Sequence, residues 1–96
     1  MVDMRSKDLM MRVGIDTLED TIRQMASSDY KERFKAEYYQ LVLRYDKLAS
    51  MVQAWDNGRL DFEPDCPRSL YTLQLRAMAD YIAVLEARAK IENIIL

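Results

Sequence analysis

The 96-residue sequence predicts an all-α fold: two long antiparallel helices plus an N-terminal helix, in an elongated bundle completed by oligomerisation. Three observations carry this. Apolar residues recur at alternating spacings of three and four over long stretches, which is the helical period. Two Gly and two Pro leave too few turn residues for a sheet protein. The last stretch carries two adjacent apolar stripes, more than one partner helix in the same chain can cover. One domain spanning 1–96 is expected, with helices over about 6–25, 30–56 and 67–95. A chain this small buries a modest fraction of its surface, so a leftover apolar face favours self-association.

The first helix is expected to be capped by Ser6 and to carry Met11, Ile15, Leu18, Ile22 and Met25 on one seam. Gly14 lies inside it and costs about 1 kcal/mol relative to Ala. The run ASSD then breaks the pattern, and Asp29 with Glu32 has the spacing of a capping box that starts a second helix at Tyr30. Phe34, Tyr38, Leu41, Tyr45, Leu48, Val52 and Trp55 form an unbroken heptad seam, ended by Asn57-Gly58. Such a helix is roughly 40 Å long at 1.5 Å per residue.

In the loop that follows, Leu60 and Phe62 are expected to fold back on the bundle. Asp65 or Cys66 should cap a third helix that has Pro67 in its first turn. That helix places Tyr71, Leu75, Met78, Ile82, Leu85 and Ala89 on one seam. A neighbouring seam holds Leu70, Leu73, Ala77, Val84, Ile91 and Ile95. The apolar tail AKIENIIL has no later segment to cover it, which favours burial against another subunit.

Composition narrows the chemistry. A net charge of -2 and a pI near 5.1 argue against duplex DNA as the main partner. Cys66 is the lone cysteine, so no intramolecular disulfide forms and cytoplasmic residence is expected. The charged N-terminus does not read as a signal peptide, and no apolar run approaches the roughly 18 residues that suggest a membrane span. There is no histidine. Asp61, Glu63 and Asp65 lack the remainder of a calcium loop and read as a solvated acidic loop. Cys66 has no His to activate it, so a buried or half-buried thiol is expected rather than a nucleophile. With no Gly-rich phosphate loop either, neither an enzyme nor a cofactor is expected.

The remaining signal lies on the second helix. Tyr38, Tyr45 and Trp55 belong to its seam and read as core. Tyr39 lies on the opposite side, near Ala36 and Leu43, and reads as a second helix interface or a ligand site. Tyr30 opens the helix beside Lys31 and Arg33, with Arg44 and Lys47 further along. Exposed cations usually only solvate a helix, yet aromatic rings stack on nucleobases for about 1–3 kcal/mol per base while Arg and Lys hold phosphates. Tyr30, Arg33, Tyr39, Arg44 and Lys47 are therefore the candidate ligand-binding residues.

YKERFKAEYYQLVLRYDKLASM, a short Pro-containing loop and LYTLQLRAMADYIAVLEARAKIE together resemble the small phage proteins that include the anti-CBASS cyclic-oligonucleotide sponges. The resemblance rests on Tyr30, Arg33, Glu37, Leu41, Arg44, Lys47 and Leu48, then on Leu70, Gln74, Met78, Tyr81, Leu85 and Arg88. It spans residues 30 to about 92. It implies a helical homo-oligomer, typically a hexamer, that captures cyclic di- or trinucleotides without cleaving them. It further implies a tyrosine stacked on a base and a lysine near a subunit interface meeting phosphate. Tyr30 and Lys47 are the nearest matches, with Arg33 and Arg44 in support. The first 29 residues depart from the pattern, and an extra helix there could cover a pocket or build a different one. The competing reading is an oligomeric helical adapter or inhibitor of another protein. Single-stranded nucleic-acid binding is disfavoured by the net charge.

Overall fold

The computed structural model describes residues 14–96, and among them every regular element is helical. A 3-10 turn over Leu18–Thr21 runs into a short helix, α1 (Ile22–Met25); two long helices follow, α2 (Tyr30–Asp56) and α3 (Arg68–Ile91). The molecule measures 43 × 24 × 22 Å, as a 27-residue helix requires.

The expected single N-terminal helix does not continue through the described residues. Gly14 takes φ +77, a left-handed conformation that stops a right-handed helix, and Thr17 is extended at φ -135, ψ 166. The Asp20 carboxylate (Oδ2) accepts from the backbone N–H of Asp16 at 2.8 Å and of Thr17 at 3.0 Å, so the helical turn starts afresh at Leu18. The expected seam is accordingly split. Ile15 is buried, whereas Leu18, Ile22 and Met25 are exposed. Ser6 and Met11 lie outside the described residues.

Helix α2 begins where the sequence places it. The Asp29 carboxylate accepts from Lys31 N–H at 2.9 Å. The reciprocal bond expected from Glu32 comes instead from Ser27, whose Oγ accepts from Asp29 N–H at 3.0 Å, while Glu32 pairs with Lys35 at 3.7 Å. Gly58 at φ +69 ends the helix, and Arg59 N–H reaches back to the Ala54 carbonyl at 2.8 Å.

Three details of the second half differ from expectation. Phe62 and Cys66 are exposed rather than folded back or buried. Pro67, extended at φ -60, ψ 145, is the N-cap itself, so α3 starts at Arg68. The helix also ends at Ile91 rather than near 95, because Asn93 adopts φ 58 and Ile94 N–H bonds the Ala89 carbonyl at 2.8 Å. This turn tucks Ile94 into the core and leaves Ile91 and Ile95 outside, at 80% and 84% exposure.

Contacts between α2 and α3 pair rising numbers on one with falling numbers on the other. Phe34 lies under the Arg88 guanidinium at 4.9 Å, Tyr38 Oη donates to Glu86 at 2.7 Å, and Trp55 packs edge-on against Tyr71 at 5.8 Å. Arg68 grips Asp56 with two 3.0 Å hydrogen bonds where the helices are joined. The core follows both predicted inner seams: Phe34, Tyr38, Leu41, Tyr45 and Val52 from α2, and Ile82, Leu85 and Ala89 from α3. Each fully buried aliphatic side chain contributes on the order of 1.5–3 kcal/mol. The second α3 stripe (Leu70, Leu73, Ala77, Val84 and Ile91) is exposed.

Candidate ligand site

Within one chain the five candidate residues separate into two ends and a core position. Tyr30, first in α2, is half exposed at the end where α3 finishes. There Arg88 bonds Glu92 at 2.7 Å and, with an added hydrogen bond from Tyr30, holds the Glu92 carboxyl below its ordinary range. Lys31 Nζ donates to the Asn93 carbonyl at 3.5 Å. Arg33 is exposed, and its guanidinium donates to the Ser27 carbonyl at 2.9 Å, which ties it to the turn before the helix.

Of its two readings, Tyr39 fits the second packing interface and not an open ligand site. It is 2% exposed, edge-on to Tyr38 at 5.7 Å, in the same core cluster as Ile15. Burial, then the nearby Glu32 charge, pushes its hydroxyl pKa up. The residue is part of the core of the single chain, not a group left over from its packing.

Arg44 and Lys47 lie one turn apart on one exposed side of α2. They line a cavity of about 590 Å³ with Leu43, facing residues 16–19 across the gap. Neither cation makes an ion pair among the described residues. Two like charges at this spacing repel, and the same cavity is also lined by the acidic Asp16 and Glu19. Tyr30 and Lys47 are 17 residues apart, roughly 25 Å along the helix, so one chain does not bring them to one ligand.

The wall opposite the cations was not read from sequence. It is the segment Asp16–Glu19, held by the Asp20 carboxylate, whose pKa is lowered by the Asp16 and Thr17 N–H groups. Behind it, Thr21 is fully buried; its hydroxyl donates to the Leu18 carbonyl at 2.6 Å and accepts from Gln40 Nε2 at 2.8 Å. The spacing of Thr17 and Asp20 is a capping signature that could have revealed the break. The stronger apolar periodicity overrode it.

Among the described residues no group of three His, Cys, Asp or Glu is placed to hold a metal ion, and no helix is long and apolar enough to cross a membrane. A family model described as Sequestin matches residues 28–91, which takes in all of α2 and α3 and begins after the 14–25 segment. No curated protein and no solved structure matches the chain. The match covers the same helices that carry the resemblance, and the chain belongs to the Sequestin family.

Proposed function

We propose that this protein is a phage-encoded sponge that binds and sequesters cyclic di- or trinucleotide second messengers in the bacterial cytoplasm, without hydrolysis, and so blocks CBASS immunity. The observation that carries the reading is the unpaired Arg44–Lys47 pair at a cavity, on a helix inside the Sequestin match. A stoichiometric sponge needs tight binding and no catalytic group, and its cations and aromatics suffice for phosphates and bases.

In this reading the antiparallel α2–α3 hairpin is repeated in a homo-oligomer, of which a hexamer is the form the family resemblance implies. The exposed α3 stripe repeats every seven residues at Leu70, Ala77, Val84 and Ile91, the spacing of a helix-pairing seam. Oligomerisation is also the means by which Tyr30 and Arg33 of one protomer can join Arg44 and Lys47 of another. Tyr30 then stacks on a base and Lys47 meets phosphate.

Calorimetry against cyclic di- and trinucleotides, with smaller cyclised and linear adenine nucleotides alongside, tests the reading. Heat with a cyclic oligonucleotide recovered intact supports it; heat only with the smaller compounds keeps sequestration and changes the ligand class. No heat with any member at micromolar protein sinks it. Tyr30→Ala and Lys47→Ala should each weaken binding by roughly tenfold or more, the scale of one lost base stack or phosphate contact, at unchanged mass in light scattering.

The exposed α3 stripe favours one other reading, an oligomeric helical adapter or inhibitor with no nucleotide ligand. That protein would give no heat with any nucleotide and would retain a protein partner in a pull-down, which Val84→Glu would release.

A further inference from the structure

We infer that residues 16–19, which precede the family-matched region, form the second wall of the ligand site and read its hydrogen-bond donors, while Arg44 and Lys47 take its phosphates. The inference rests on the sequestering reading and adds a recognition role that the matched helices do not contain.

The two walls differ in chemistry. The α2 side offers only cationic donors and the apolar Leu43. The facing side carries the acidic residues Asp16 and Glu19, with Leu18 between them, while the Thr17 side chain is taken up by the Asp20 capping box. Ionised carboxylates accept hydrogen bonds and repel phosphate, so this wall suits ribose hydroxyls or base amino groups and not the anionic part of the ligand. Had the segment served only to pack on α2, its two acids facing two cations would be expected to close into ion pairs. No such pair forms within 4 Å among the described residues, and a cavity of about 590 Å³ stays between the walls.

The wall is also set in place before any ligand arrives. Asp20 fixes the backbone of Asp16 and Thr17 through two hydrogen bonds, Gln40 holds Thr21 from α2, and Ile15 is anchored in the core. A preorganised wall loses little entropy on binding. A site built to bond a hydroxyl also strongly rejects the analogue that lacks it, because its polar groups are left unpaired. Of the donors this wall suits, the ribose 2′-hydroxyl is the one assigned to it, so the ligand class is a ribonucleotide held by its phosphates on the other side.

The test is calorimetry of the full chain with cyclic di-AMP and with ADP, each beside its 2′-deoxy counterpart. The ribonucleotide that binds should do so about tenfold or more tightly than its deoxy form. The double variant Asp16→Ala/Glu19→Ala removes two exposed side chains and keeps the Asp16 backbone N–H that the Asp20 cap uses, so it should lose that preference while its near-UV circular dichroism stays unchanged. A wild-type chain that binds both forms equally, or a double variant that keeps the preference, overturns the role of the wall and leaves sequestration standing. Absence of heat with these two ribonucleotides and with every member of the cyclic di- and trinucleotide panel counts against sequestration, and the wall falls with it.

Discussion

Along α2, one side meets α3 through Phe34, Tyr38 and Tyr45, and another faces the 14–25 segment, bonded to it through Gln40 and set apart from it by the cavity at Leu43, Arg44 and Lys47. The first contact is long, apolar and repetitive, with Leu85, Ile82 and Ala89 filling the facing seam. The second is shorter in sequence and joins apolar burial, with Ile15 in the same core as Tyr39, to single polar bonds: Gln40 to Thr21, and Asp20 to two backbone N–H groups. The difference teaches that periodic burial builds the helix pair while local hydrogen bonding sets the backbone of residues 16–21. A right-handed helix does not accommodate the left-handed Gly14, and the chain turns there before residues 16–19.

The largest separation between the two regions should come from the core. Leu85→Ala removes a 1% exposed side chain and should cost about 2–5 kcal/mol in urea unfolding, with both regions lost together. An unchanged urea midpoint would mean that α2 and α3 do not pack through this seam. Thr21→Val is gentler and local. Leaving Gln40 without its acceptor should cost on the order of 1–3 kcal/mol, seen as faster amide exchange over residues 15–25 with little change in α2 or α3. Exchange rising equally everywhere would show the two regions to be one cooperative unit.

Acid should have the smallest effect and divide along the same line. Asp20, Asp56 and Glu92 all have lowered pKa values, Asp20 from backbone N–H bonds, Asp56 from Arg68 and Glu92 from Arg88. The unfolded chain therefore binds more protons than the folded one in this window. The contribution is complete above the ordinary carboxylate range and is lost as pH falls through the lowered folded values. Asp20→Asn should flatten the acid limb for the 14–25 segment and Asp56→Asn that for the helix pair, both modestly because the groups are solvent-screened. An acid limb unaltered by either substitution would assign the pH dependence elsewhere.

Much of this architecture is legible in the sequence because its cause is local or periodic. The seams of α2 and α3, the Asp29 start, the Gly58 stop and the exposed Val84 stripe each follow from residue type and spacing. The misses share a different cause. Asn93 could continue a helix or turn left-handed, and the turn wins because it buries Ile94. Gly14 has the same ambiguity, and Asp20 tips it by satisfying two N–H groups that a continuous helix would have bonded itself.

Tyr39 marks the boundary between the two kinds of information. Its place off the α2 seam is a matter of helical period, and the sequence alone determines that. Its burial depends on a segment more than a dozen residues away coming to rest beside α2, and no spacing within α2 encodes that contact. The same contact sets Asp16 and Glu19 across from Arg44 and Lys47. The sequence by itself determined an all-helical sponge-family scaffold with spare cations. Only the tertiary structure decided that Tyr39 is core and what faces the cations, because both depend on long-range packing rather than on period.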